Sequence, residues 1–75
     1  MTVRFESLGD VKEFVGLATL QPYAVQVQDG DRMVNAKSFM EMFTINFTQP
    51  LLVEVAGKEN EADFARAAKR FLVCA

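Results

Sequence analysis

The strongest constraint on the fold of this chain is the segment VQVQDGDRMVN, at residues 25–35. Its first half alternates valine with glutamine, which is the pattern of a strand with one buried face and predicts a strand near 22–28. Asp29 and Gly30 follow, a dipeptide typical of two-residue hairpin turns, and a short return strand is predicted near 32–35. Because the strands of a hairpin run antiparallel, the sheet that contains them is at least partly antiparallel.

Two stretches before the hairpin have clear periodicities. In TVRFES, apolar and charged residues alternate, which predicts a strand near 2–7. Asp10 and Glu13 have the spacing of a capping box, with Asp in the cap position, so Asp10 is expected to be a helix N-cap. An amphipathic helix is predicted near 10–20, with apolar residues at helical spacing at Val11, Phe14, Val15 and Ala18.

The second half of the chain predicts a short helix near 38–45, a strand near 50–56 and a last helix near 60–72. The last helix has one apolar stripe, formed by Phe64, Ala67, Ala68 and Phe71. Amphipathic helices and a sheet with one buried face pack as two layers. The predicted fold class is therefore α+β, in the order βαββαβα, with a single domain over residues 1–75.

The size of the chain limits how much apolar surface it can bury. A domain of 75 residues buries only about 60% of the surface that its unfolded chain exposes. Yet 51% of its residues are hydrophobic, with seven Phe and four Met among them. We therefore expect an exposed apolar patch, and such patches usually mark surfaces that contact a partner.

Charge and cysteine content argue against several function classes. The net charge of −2 disfavours a nucleic-acid partner, because nucleic-acid-binding domains carry a basic excess. No apolar run approaches the ~20 residues of a membrane span, and the N-terminal segment lacks the apolar core of a signal peptide. The one cysteine, Cys74, cannot form an internal disulfide, and terminal disorder explains it better than a redox role. The expected location is cytoplasmic, without membrane contact, cofactor or metal.

Ser38 begins the short second helix. Ser38 and Glu41 form the S-x-x-E pattern of a capping box, in which the hydroxyl accepts from the Glu41 amide and the carboxylate reaches back. Within the helix, Met42 and Ile45 are three residues apart and can bury one face. Another face carries three large apolar side chains that are predicted to be partly exposed: Phe39, Met40 and Phe43.

From residue 25 to 72 the sequence resembles HPr, the small phosphocarrier protein of the bacterial sugar phosphotransferase system. VQDGDRMVNAKSFM resembles the hairpin of the family and its VNxKSIM segment, and VEVAGKENEADFARAAKRFL resembles its ITAEGEDEEEALEAL strand and helix. Asn46 falls where the family usually has Gly, which implies a left-handed backbone there. The resemblance implies an open-faced β-sandwich of four antiparallel strands under three helices, with the last strand beside the first.

The sequence departs from the family at the residue that carries its chemistry. HPr proteins hold the phosphate on a histidine in a GLHARPA loop, whereas this chain has no histidine and only SLGD before its first helix. Phosphoryl transfer needs a nucleophile whose phosphorylated form is labile, so the resemblance implies a protein that is not an enzyme. Asp10 is the nearest substitute acceptor, but a role as helix cap explains it more simply.

The resemblance adds functional alternatives on the second helix. Ser38 lies where HPr-type proteins carry a regulatory serine, the target of an ATP-dependent kinase in some bacteria. A phosphate there would gain from the helix N-terminus but would face the carboxylate of Glu41, where the family usually has Gly. Capping alone therefore stays open as an explanation of Ser38. The apolar patch by which HPr docks its partners corresponds to Phe39, Met40 and Phe43.

The expected function is that of a non-catalytic, HPr-like regulatory domain that binds a protein partner through its short second helix. The partner is a regulator, a kinase or a second copy of the chain. The alternatives are a phosphocarrier with another acceptor and a structural or dimerising domain. A basic cluster of Arg66, Lys69 and Arg70 needs no function of its own, because cations are favoured at the end of a helix.

Overall fold

The computed structural model describes residues 1–73, so the prediction for Cys74 lies outside the described residues. The predicted order of elements is confirmed. The elements are β1 (Thr2–Val3), α1 (Leu8–Thr19), β2 (Val25–Asp29), β3 (Arg32–Asn35), α2 (Phe39–Met42), β4 (Leu51–Val55) and α3 (Lys58–Ala67), followed by a 3₁₀ turn (Lys69–Phe71).

The four strands form one antiparallel sheet in the order β1-β4-β2-β3. The last strand pairs with the first, as predicted, and β3 is an edge strand. One face of the sheet packs against the helices, and the other carries exposed side chains such as Gln26 and Leu52. The predicted α+β fold is confirmed, and it is consistent with the open-faced sandwich that the resemblance to HPr implies.

The hairpin turn lies one residue later than predicted. Asp29 pairs with Arg32, so the two loop residues are Gly30 and Asp31 rather than Asp29 and Gly30. Gly30 has a φ of 64°, and glycine adopts a positive φ without steric cost. β2 also begins later than predicted, at Val25, because the residues before it make the turn that follows α1.

The first strand is shorter than predicted because the chain changes partner after Val3. β1 pairs with β4 over two residues only, and the Arg4 amide then donates to the Phe71 carbonyl (2.9 Å). The Val73 amide donates to the Thr2 carbonyl (3.0 Å) on the same side. The end of the described chain therefore covers the edge of β1.

The start of α1 corrects the prediction that Asp10 is its N-cap. Ser7 is the N-cap, and its Oγ accepts from the Asp10 amide (3.3 Å). The Asp10 carboxylate accepts from the Glu6 amide (3.0 Å). Ser7 and Asp10 have the same serine-to-acid spacing as a capping box. Ser7 is therefore the N-cap, and Asp10 lies in the first turn of the helix.

The last helix begins and ends earlier than predicted. Its N-cap is Gly57, at a φ of 87°, and α3 ends at Ala67, after which residues 69–71 form the 3₁₀ turn. The tighter turn keeps Ala68 and Phe71 in the core but leaves Ala67 exposed, so the predicted apolar stripe is right at three of its four positions.

The core between sheet and helices is built around Phe14, which is fully buried. Its ring meets those of Phe5, Phe64 and Phe71 edge to face, at centroid distances of 5.1, 5.5 and 5.8 Å. Such edge contacts between rings add to the free energy of simple apolar burial.

None of the helices within residues 1–73 combines the length and apolarity needed to cross a bilayer.

Candidate docking site on the second helix

Ser38 is the N-cap of α2, as the S-x-x-E pattern predicts. Its backbone is extended (φ −104°, ψ 114°), and its Oγ accepts from the Glu41 amide at 3.3 Å. The Ser38 carbonyl accepts the first helical bond, from the Met42 amide (3.0 Å). The cap supplies one of the partners that the first amides of a helix otherwise lack.

The predicted return bond from Glu41 to the Ser38 amide is not formed. That amide donates instead to the Asn35 carbonyl (3.0 Å), within the turn between β3 and α2. The Glu41 carboxylate reaches further and accepts from the Asn35 amide at 3.1 Å. Because the turn already satisfies Ser38, the carboxylate is free to bind the strand.

The hydrogen bond from the Asn35 amide to the Glu41 carboxylate closes part of the open edge of the sheet. Asp29 and Arg32 flank the two-residue turn, and hydrogen-bonded pairs alternate with non-bonded pairs along an antiparallel ladder. The amides of Met33 and Asn35 therefore point away from β2. The Glu41 carboxylate accepts a hydrogen bond from the second of these amides. α2 therefore shields the edge strand, a common way to prevent strands from pairing with other chains.

A second set of bonds ties the far end of α2 to the hairpin. Nη2 of Arg32 donates to the hydroxyl and the carbonyl of Thr44, at 3.1 and 3.4 Å. The same nitrogen contacts the carboxylate of Asp29 at 3.1 Å. With Glu41 at one end and Arg32 at the other, this four-residue helix is held against β3.

The exposed face of α2 is the one that the sequence predicts. Phe39 is 44% exposed, Met40 84% and Phe43 50%, and we call these three residues the α2 patch. The rings of the two phenylalanines lie 5.7 Å apart. On the opposite face Met42 and Ile45 are buried, as predicted. The partial exposure of all three patch residues is therefore confirmed.

An open groove of about 540 Å³ lies beside the patch, between α2 and the edge strand. Met40 lines it from the helix and Met33, itself 41% exposed, from β3. The sequence predicts the patch but not this groove, because the pairing of α2 with β3 depends on the Glu41 and Arg32 bonds. The complete lining is Arg32, Met33, Val34, Met40, Glu41 and Thr44.

Asp10 has structural partners for both oxygens of its carboxylate. One accepts from the Glu6 amide (3.0 Å) and the other from Nη2 of Arg70 (2.7 Å). Arg70 also contacts the Glu13 carboxylate at 2.7 Å. These bonds explain Asp10 without a role as phosphate acceptor.

The basic cluster lies in last helical turns, as predicted, and Arg66 and Arg70 also form ion pairs. Arg66 lies in the last turn of α3 and pairs with Asp63. Arg70 instead stands in the 3₁₀ turn and joins it to α1 through Asp10 and Glu13. Sequence reasoning misses this bridge, because its partners lie 60 residues apart.

The left-handed backbone implied for Asn46 is wrong. Among residues 1–73 only glycines have a positive φ. The Asn46 carboxamide oxygen instead accepts from the amide and the hydroxyl of Thr48, at 3.2 and 2.5 Å. Asparagine therefore stabilises this turn through its side chain, a common role for the residue.

The surroundings of Tyr23 shift its pKa. Burial raises its pKa above the usual value, and the negative charge of Asp63 adds to the effect. Its hydroxyl is shielded from solvent and has no hydrogen-bond partner within residues 1–73. Its ring packs edge to face on Phe64, with centroids 6.4 Å apart, so the partly buried Tyr23 packs against the core and is not part of the site.

Comparisons with known proteins add no relative. A scan against models of protein families finds no match, and a search of curated proteins finds no similar sequence.

Within residues 1–73 no three side chains of His, Cys, Asp or Glu lie close enough together to hold a metal ion.

Proposed function

We propose that this chain is a non-catalytic protein-binding module, related to the HPr family, that docks a protein partner through the α2 patch. The observation that carries the proposal is the division of α2 into two apolar faces. One face is buried, through Met42, while the other presents Phe39, Met40 and Phe43 to solvent. A helix of four residues with apolar side chains on two sides can bury the second only against another molecule.

The patch has the composition and the rigidity of a binding surface. Aromatic residues and methionine are enriched at protein interfaces, and full burial of one such side chain contributes about 1.5–3 kcal/mol. The Ser38 cap and the bonds of Glu41 and Arg32 fix the helix before any partner arrives. A preorganised surface loses less conformational entropy on binding.

The relation to HPr is supported by the order of elements, by the order of strands and by the VNAKS segment before α2. The proposal includes no phosphoryl transfer, because the chain has no histidine and Asp10 is engaged by Arg70. It includes a cytoplasmic location, supported by the single cysteine, which permits no internal disulfide.

Ser38 is, within this proposal, a candidate site of regulatory phosphorylation. A phosphate at this position would add about 1.5–2 negative charges beside Phe39. This charge opposes docking of an apolar partner. The test is incubation with an HPr-type serine kinase and ATP, followed by peptide mass mapping. Ser7, also the N-cap of a helix, is the internal control.

Phosphate on Ser38 and not on Ser7 supports the regulatory role. No phosphate on either serine leaves Ser38 as a cap and refutes that part of the proposal. A companion incubation with the upstream phosphotransferase of the sugar system and phosphoenolpyruvate should leave this protein unmodified. Uptake of phosphate in that assay would refute the non-catalytic assignment.

The docking itself is tested by photo-crosslinking in cells that express the chain. A benzophenone amino acid replaces Phe43 in one variant and Gln26, on the exposed face of the sheet, in the control variant. We expect an adduct with one discrete protein, or with a second copy, from position 43 only. The adduct should disappear when Phe39→Ser and Met40→Ser are added. Equal adducts from both positions, or none from position 43, would refute the proposal.

A further inference from the structure

Two thioether side chains are among those that line the groove beside the α2 patch. Met40 comes from the helix and is 84% exposed, the largest exposure of any large apolar residue in the described chain. Met33 comes from the edge strand and is 41% exposed. Oxidation of methionine depends on how accessible the sulfur is, so both residues are open to attack from solvent.

The same helix carries a natural reference for this reactivity. Met42 lies two residues from Met40 but points into the core, where it is 0% exposed. The structure therefore places a reactive and a protected methionine on one short helix. A difference in their rates of oxidation reports on exposure alone, because the two side chains are chemically identical.

We propose that Met40 is an oxidative modification site at which a peroxide switches the α2 patch from apolar to polar. A lone pair on the Met40 sulfur attacks one peroxide oxygen, the O–O bond breaks and an S–O bond forms. With hydrogen peroxide, sulfur loses two electrons, the second oxygen leaves as hydroxide, and the proton on the transferred oxygen passes to that hydroxide, which gives a sulfoxide and water. The reaction is reversible through methionine sulfoxide reductases.

The sulfoxide changes the surface without disturbing the core. Its oxygen is a hydrogen-bond acceptor, and the guanidinium of Arg32 offers donors in the same groove. Met40 makes no contribution to the buried core, so the domain keeps its fold after oxidation. What is lost is the most exposed apolar group of the patch, and with it part of the surface that an apolar partner would cover.

This inference rests on the proposed function for its consequence, since a switch on the patch matters where the patch binds a partner. Its chemistry is measured without a partner. Purified protein carrying Cys74→Ser, which removes the competing thiol, is treated with hydrogen peroxide. Peptide mass mapping then follows the sulfoxide at each methionine, and retention on a phenyl resin reports the apolar surface.

We expect Met40 to oxidise at least about tenfold faster than Met42, with Met33 between them. Retention should fall in proportion to sulfoxide at Met40, with an unchanged circular dichroism spectrum, and should return after treatment with a reductase. Met40→Leu should stay strongly bound to the resin and show no fall in retention after peroxide treatment. Met33→Leu should still show that fall.

Faster oxidation of Met33 or Met42, unchanged retention after complete oxidation of Met40, or a full response in Met40→Leu would each overturn the inference. Failure of the proposed function has a different signature. It would appear as missing crosslinks at position 43 while the order of oxidation stays as expected.

Discussion

The carboxylate of Glu41 accepts a hydrogen bond from the backbone amide of Asn35 at 3.1 Å. One side chain at the start of α2 thereby occupies an outward amide of the edge strand β3. The bond both fixes the helix that carries the α2 patch and shields the sheet from pairing with another strand.

Removal of this carboxylate should loosen α2 from the sheet. For Glu41→Ala we expect a loss of about 0.5–1.5 kcal/mol in the free energy of unfolding, the usual worth of one hydrogen bond. Glu41→Gln keeps an oxygen at the same position and should lose less than half as much. Urea denaturation compares the two variants, and an equal loss in both would show that the bond to Asn35 is not responsible.

The two serine caps should contribute similarly to stability. Ser38→Ala and Ser7→Ala should each lower the free energy of unfolding by about 1 kcal/mol, because each hydroxyl accepts from a first-turn amide. Replacement by Asp, another good cap, should restore most of the loss. If Ser38→Ala were as stable as the unmodified protein in urea, the cap would not explain this serine.

These two caps show what the sequence can and cannot predict. Ser38 has one acid at the right spacing, Glu41, and the pattern correctly predicts the cap. At α1 two patterns overlap, because Ser7 precedes Asp10 by three residues and Asp10 precedes Glu13 by three. Both satisfy the capping-box spacing. The extended backbone of Ser7 (φ −157°) decides between them, and that conformation depends on where the preceding chain pairs.

The bridge from Arg70 to Asp10 and Glu13 should contribute modestly and depend on salt. Exposed ion pairs typically contribute about 0.2–1 kcal/mol each, and Arg70 and Glu13 are more than half exposed. Arg70→Met should therefore lower the free energy of unfolding by about 1 kcal/mol or less at low salt, and by less at ~1 M salt.

Arg66→Met is the matched control for this bridge, because the pair of Arg66 with Asp63 joins neighbouring turns of α3 only. We expect almost no change in its urea midpoint. The same loss in both variants would show that the connection between α1 and the 3₁₀ turn adds nothing to stability.

The sequence patterns predict the four strands and three α-helices of residues 1–73 but not the 3₁₀ turn, and long-range partners decide most boundaries. β1 ends where the Arg4 amide bonds to the Phe71 carbonyl, and the alternation of residues near Arg4 does not predict this long-range bond. α3 ends at Ala67 because residues 69–71 tighten into a 3₁₀ turn, yet spacings of three and four residues fit either helix type. The patch is predictable for the opposite reason: its exposure follows from helical spacing within one short segment.

Tyr23 should make stability fall at alkaline pH. Its folded-state pKa lies above the value of about 10 in the unfolded chain. Ionisation of Tyr23 therefore costs the folded state nothing below pH ~10, and the free energy of unfolding falls as the pH rises from there through the folded-state pKa. Tyr23→Phe should remove this loss. At neutral pH it should not destabilise the protein, because the hydroxyl has no partner within residues 1–73.

Tyr23 is the only tyrosine in the sequence, so the ultraviolet absorbance of tyrosinate follows this group alone. A titration midpoint at the value for a short unfolded peptide would contradict the burial of the hydroxyl. Urea denaturation of both proteins at neutral and alkaline pH completes the comparison.

The most direct test of the central claim is calorimetric titration of the crosslinked partner, once identified, with three forms of this protein. Phe43→Ser removes a patch residue that is 50% exposed, and Leu52→Ser removes an apolar residue of similar exposure (44%) on the opposite face of the sheet. If the α2 patch is the docking surface, Phe43→Ser weakens binding at least tenfold, a loss of about 1.4 kcal/mol or more, and Leu52→Ser leaves it unchanged. Equal affinity of Phe43→Ser and the unmodified protein would contradict the account.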